Sequence, residues 1–178
     1  VMIRHQSIWP AVFAHGFFTL DGLKISKSLG NAIAPADAAK DVGFDAVRYY
    51  LLREIALGED GDFSFARLRE RYQNDLGNTL GNLVQRVVAM SRKYFDGKAP
   101  PVDPDEAGRM GSPAWTGASH LRETARQIAQ AFAENRCDLA LGFVFSSLFS
   151  ANKFIEETQP FKLVKTDLPA TGRILYAL

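Results

Sequence analysis

A chain of 178 residues, 47% of them hydrophobic, holds enough apolar material for a buried core and one or two small domains. Its formal charge of +1 provides no whole-molecule basic field, so any nucleic-acid contact must come from local charge placement. The single cysteine, Cys137, excludes a disulfide framework and a cysteine-rich zinc site, and it fits a reducing, cytoplasmic compartment.

Val1, His5 and Trp9 recur at every fourth position, which predicts one face of a helix that ends at Pro10. Val12 to Leu20, rich in Phe and Val, reads as a strand. Asp21-Gly22 then predicts a type I′ hairpin turn. The segment Lys24 to Ser28 follows, and Gly30-Asn31 closes it with residues that tolerate positive φ. Pro35 suits the first turn of a short helix through Val42, which Gly43 ends. Asp45 begins a second helix, dense in aromatic and aliphatic residues from Val47 to Ala56. Gly58 to Asp62 reads as an acidic turn.

From Ser64 a long helix is predicted to Phe95. Leu68, Tyr72, Leu76, Leu80, Leu83, Val87 and Tyr94 give it an apolar stripe. Gly77 and Gly81 inside it each cost about 1 kcal/mol against Ala, which implies close approach of another helix or of RNA. Residues 96–119 hold four of the eight prolines and four glycines, a long loop. Helices follow over Leu121 to Asn135 and Asp138 to Thr158, where Pro160 stops the second. Asp167 and Pro169 start a last helix. The order predicts a small α/β start followed by an α-helical bundle. The richest apolar run, Leu139 to Phe149, is too short to span a bilayer and is interrupted by Ser146 and Ser147. No secretory signal opens the chain. Val1 is not an initiator, and an apolar pattern runs into Leu178, so the sequence reads as a piece of a longer protein.

Two lysines three apart, interleaved with serines, mark Asp21-Gly22-Leu23-Lys24-Ile25-Ser26-Lys27-Ser28-Leu29-Gly30-Asn31. Lysine offers a compact charge with three donors on a flexible stem. At about 4 Å from a developing phosphate charge it is worth roughly 4 kcal/mol at an effective dielectric of 20. By composition alone a solvated lysine-serine hairpin is the commoner reading of such a segment. The whole string resembles the Lys-Met-Ser-Lys-Ser signature of class I aminoacyl-tRNA synthetases, with Ile25 in the methionine position. The resemblance implies that Lys24, Ser26, Lys27 and Ser28 bind ATP, with Lys24 and Lys27 catalytic and Lys27 the principal transition-state contact. Mg2+ is expected with ATP, and no metal ligands are expected within the chain.

Three further stretches choose among the class. Asp45-Ala46-Val47-Arg48-Tyr49-Tyr50-Leu51-Leu52-Arg53-Glu54 with Asp60-Gly61-Asp62-Phe63 resembles the connecting segment of methionyl-tRNA synthetases, shared in part with leucyl and cysteinyl enzymes. Asn74, Asn78, Asn82 and Arg86 stand at fourth-residue spacing. In an α-helix each step advances about 40° around the axis, giving a slowly winding polar stripe. Asparagine pairs a donor with an acceptor, as a base edge does, and arginine can stack or bond to a base or phosphate. Asn78, Asn82 and Arg86 resemble the anticodon-reading positions of methionyl enzymes and so imply contact with a CAU anticodon. Asn152-Lys153-Phe154-Ile155-Glu156-Glu157-Thr158-Gln159-Pro160-Phe161 resembles the motif in which a tryptophan after proline stacks on an anticodon base. Phe161 stands there instead, and base–aromatic stacking is worth about 1–3 kcal/mol.

His5, Trp9 and Pro10 are similar to the family's pocket helix, which would make Val1, His5 and Trp9 part of a methionine pocket. The family's His-x-Gly-His signature is absent, and Ala14-His15-Gly16 does not supply it. The connection from Pro10 to Val12 is also shorter than the family's. The resemblance implies a mainly α chain: the tail of a Rossmann-like catalytic domain (1–31), a small α/β connecting segment (32–63) and a truncated α-helical bundle for anticodon binding (64–178). It implies a methionine–tRNA ligase with ATP, methionine and tRNA as partners and no membrane, whose N-terminal catalytic half lies outside these residues. The isolated piece is then expected to be inactive. The alternatives are a non-catalytic anticodon-binding module and another class I synthetase, leucyl or cysteinyl.

Overall fold

A computed structural model describes residues 2–3, 12–13, 16–26, 28–98 and 117–178. These are mainly helical, with a few short strands. Two compact units divide the chain. The first holds Val1–Gln73 and Gln130–Gly142, and the second holds Asn74–Ala129 and Phe143–Leu178.

The first unit opens with β1 (Met2–Ile3) antiparallel to β2 (Val12–Phe13), in the register Met2↔Phe13 and Ile3↔Val12. This corrects the helix expected from Val1, because Met2–Ile3 is extended. Fourth-residue spacing over three positions is a weak constraint, and strand pairing of β-branched and aromatic residues overrides it. The rest of that predicted helix lies outside the described residues. The single strand expected over Val12 to Leu20 is two: β2, then β3 (Phe18–Leu20). Strand β3 forms a hairpin with β4 (Leu23–Lys24), pairing Leu20 with Leu23. Asp21 at φ 47° and Gly22 at φ 78° give the two positive angles of the expected type I′ turn.

The presumed acidic turn conceals a strand. Strand β5 (Gly61–Phe63) pairs in parallel with β3, giving the order β4-β3-β5 with Thr19 opposite Asp62. Three residues are too few to show a period of two, so only the distant partner reveals it. Helices α1 (Pro35–Ala39), α2 (Phe44–Glu54) and α3 (Phe65–Arg71) belong to this unit. Its core joins Ala38, Val47, Tyr50, Phe63 and Leu68. The Tyr50 and Phe63 rings meet edge to face at 5.4 Å. The buried Tyr50 hydroxyl accepts from the Ser64 amide at 3.1 Å and donates to the Asp62 carbonyl at 3.4 Å. Removal from water raises its pKa, so it stays neutral.

The long helix is continuous from Phe65 to Phe95, but it is not α throughout. A π-helical segment spans Tyr72–Gly81 before α4 (Asn82–Phe95). The winding expected of an α-helical asparagine ladder is therefore broken, since a π turn rotates less per residue. The second unit continues with α5 (Gly117–Ala133), whose last residues return to the first unit, as do the first of α6 (Cys137–Thr158). Buried Pro160 opens α7 (Pro160–Leu163). At α8 (Leu168–Ala177), the Asp167 carboxylate accepts from the Ala170 amide at 2.8 Å, a side-chain N-cap. The core of this unit joins Leu83, Ala151, Phe154, Ile155 and Ile174.

Ile155 has no solvent exposure at the centre of that cluster. Ile155→Ala should lower stability by about 2–5 kcal/mol, the cost of lost apolar contact plus a cavity. Urea unfolding followed by circular dichroism measures this. A loss well under 1 kcal/mol would mean the cluster does not hold the unit together.

Candidate functional site

The lysine loop hangs from the β3–β4 hairpin, and two residues fix its backbone. Asn31 works through its amide: Oδ1 accepts from the Ser26 N–H at 2.8 Å and Nδ2 donates to the Lys24 carbonyl at 3.0 Å. The loop is thereby clipped shut across five to seven residues. Gly30 takes the positive φ, 67°, and Asn31 does not need one. The Ser26 and Ser28 hydroxyls are 2.7 Å apart, and the Ser28 amide donates to the Ser26 hydroxyl at 3.2 Å. Lys24 is exposed, while Lys27 lies outside the described residues. Ile25 faces an apolar cavity of about 270 Å3 that Phe18, Ile33, Pro35, Val47 and Phe63 also line.

Asp62 on β5 is the second anchor. Its Oδ1 accepts from the Thr19 hydroxyl at 2.6 Å and from the Gly22 amide at 2.7 Å, and Arg67 pairs with its Oδ2 at 2.9 Å. These partners, Thr19 foremost, then Gly22 and Arg67, hold its pKa below the ordinary 3.8. Asp60 Oδ1 accepts from the Phe17 amide at 2.7 Å. The two carboxylates of Asp60-Gly61-Asp62 thus tie down both ends of β3. Sequence reading missed this role and took the run as a turn. Its only signal is that carboxylates at i and i+2 share one side of a strand.

The polar ladder lies in the second unit. Asn74, Asn78 and Asn82 are all exposed, and Asn78 Nδ2 reaches Asn74 Oδ1 at 3.5 Å. Arg86 differs, with a side chain only 24% exposed and Nη1 2.7 Å from Glu156 Oε1. That ion pair joins the ladder to the Asn152–Phe161 stretch, a link invisible in sequence. Phe161 on α7 keeps 40% of its surface, and Pro160 beside it is buried. Val1, His5 and Trp9 lie outside the described residues. Among the described residues, no group of three or more His, Cys, Asp or Glu could hold a metal ion, and no helix is long and apolar enough to cross a membrane.

The family model for class I tRNA synthetases (M) matches residues 4–88. The methionine–tRNA ligase of Thermotoga maritima is 40% identical over 97% of this chain and 29% of its own length. That of Brucella suis is 36% identical over 97% of this chain and 35% of its own. A structure of Mycobacterium tuberculosis methionyl-tRNA synthetase in complex with methionyl-adenylate superposes with a TM-score of 0.78. It shares 34% identity over 93% of this chain and 32% of that one. Residues 4–88 therefore carry a class I tRNA synthetase sequence. Over nearly its whole length the chain is a homologue of the methionyl-tRNA synthetases, and it spans about a third of the length of the curated relatives it matches.

The depressed pKa of Asp62 has a definite consequence for pH. Its stabilisation of the hairpin is fully present above the ordinary value of 3.8 and is lost as pH falls through the lower folded value. Hydrogen exchange at the Gly22 amide should therefore gain protection between strongly acidic pH and pH 5, beyond the intrinsic trend. Asp62→Asn should flatten that gain, and an unchanged profile in the variant would show that another group controls the turn.

Proposed function

We propose that this chain supplies the phosphate-handling loop and the anticodon-reading helix of a methionine–tRNA ligase. The protein would activate methionine with ATP and pass the methionyl group to its tRNA. The observation that carries the reading is the lysine loop itself: a signature string whose backbone is clipped by Asn31 and Asp62, leaving Lys24 exposed. In this reading the methionine carboxylate attacks the α-phosphorus of ATP, forming a P–O bond as the bond to pyrophosphate breaks. Lys24 and Lys27 meet the charge that builds on the phosphoryl oxygens and on departing pyrophosphate. Ser26 and Ser28 keep the loop tight around the phosphates. Mg2+ would accompany ATP and add positive charge toward its phosphates, with Lys24 and Lys27 as this chain's own contribution.

Residues 1–31 then form the end of a Rossmann-like catalytic domain, with Val1, His5 and Trp9 at the methionine pocket. Residues 32–63 connect it to a helical bundle, 64–178, that binds the anticodon. Asn78, Asn82 and Arg86 read CAU, Phe161 stacks on a base in the place of tryptophan, and the protein works in the cytoplasm. The ion pair with Glu156 supports the role of Arg86, because it holds a mobile guanidinium in one orientation beforehand.

Two measurements test the two halves. The chain should bind an RNA hairpin with a CAU loop more tightly than one with the first base changed. Asn82→Ala should cost about 1–3 kcal/mol, roughly 5–150-fold, for the CAU hairpin alone. Equal affinities, falling together with salt, would reduce the contact to phosphate charge. For the loop, inorganic pyrophosphate should shift NMR signals confined to residues 24–31. Changing Lys24 and Lys27 to Gln should abolish those shifts, and shifts that persist would remove the lysines from phosphate handling.

A further inference from the structure

Asn152 opens the Asn152–Phe161 stretch, nine residues before Phe161. Its Nδ2 donates to the Thr79 carbonyl at 3.0 Å and to the Leu148 carbonyl at 3.1 Å. Its Oδ1 is buried without a hydrogen-bond partner. Two carbonyl acceptors fix which way the amide faces, since a flipped amide would set oxygen against oxygen. Both of its hydrogen bonds to the protein are thus made at the donor end.

Thr79 lies near the end of the π-helical segment, between Asn78 and Asn82. Its hydroxyl donates to the Asn74 carbonyl at 2.9 Å, five residues back, the spacing of the π ladder itself. Asn152 therefore grips a residue that is already locked into the π turn from its other side. Gly81 serves the same turn. A Cβ there would stand 3.1 Å from the Leu76 carbonyl, again five residues back, so a side chain is crowded. The turn type matters because one residue of helical register is about 100° around the axis. If the segment returned to α, each residue would turn further around the axis, carrying Asn74 and Asn78 round relative to Asn82 and Arg86. The stripe would then wind differently along the helix, and its side chains would meet a short run of bases in a different arrangement.

We infer that Asn152 is a positioning residue: by holding the Thr79 carbonyl it keeps the π turn that aligns the asparagine ladder for base reading. This rests on the anticodon-reading function proposed above. The experiment measures the affinity ratio between a CAU hairpin and one with its first base changed. Asn152→Leu keeps the size and removes the donor. The ratio should fall about tenfold while affinity for the changed hairpin and its salt dependence stay put. A merely structural residue would instead lower the melting temperature and weaken both hairpins alike, and that result would overturn the inference. Gly81→Ala, which disfavours the π turn without touching Asn152, should lower the ratio too, and an unchanged ratio there would also overturn it. Asn82→Ala separates the two claims. If it spares the ratio, the base-reading function fails. If it abolishes the ratio while Asn152→Leu does not, only the role of Asn152 fails. Should both new variants unfold, the wild-type chain still decides. The Asn152 side-chain amide protons should exchange slowly with water, and rapid exchange would remove the bond on which the inference stands.

Discussion

The parallel pairing of β3 with β5 governs the first unit. It joins residues some forty positions apart in sequence, and the lysine hairpin has no other sheet neighbour among the described residues. A two-stranded hairpin alone is marginal in water, so a third strand matters for its order. The backbone bonds run from Asp21 N–H to the Phe63 carbonyl and from Gly61 N–H to the Phe17 carbonyl. The Asp62 carboxylate adds its bonds at the turn. Phe63 buries its ring against Tyr50 on the other side of the strand. Hairpin geometry, core packing and loop position therefore depend on one short strand.

Charge follows the same frame. Arg67 pairs with Asp62 at 2.9 Å and Arg71 with Glu54 at 2.9 Å, so α3 is tied to β5 and α2 by its basic face. Those pairs are part-exposed and individually modest. Their effect is orientation, and Lys24 on the loop stays exposed. In the second unit Glu156 does for Arg86 what Asp62 does for the hairpin, holding it by a carboxylate from another element.

Much of this was legible in advance. The I′ turn followed from Asp21-Gly22, the last helix from Asp167 and Pro169, and the ends of the long helix from Ser64 and the loop after Phe95. These are local events, set by backbone sterics, caps and proline. The class of protein was legible too, because the signature string places several side chains by spacing alone. The first predicted helix failed at Met2–Ile3, where strand pairing overrides a spacing of three residues. Strand β5 was hidden because its partner lies far back in the chain.

By itself, then, the sequence singled out the lysine string, the asparagine ladder and the Asn152–Phe161 stretch. Tertiary structure alone decided how they are held. Asn31 clips the loop, Asp62 anchors it, Glu156 engages Arg86 and Asn152 grips the π turn. Each of the last three depends on a partner from another element. The π turn itself is a choice of register over ten residues, and a spacing of four fits α and π alike. Spacing names the face of a helix, but the hydrogen bonds made across the fold settle how far that face turns.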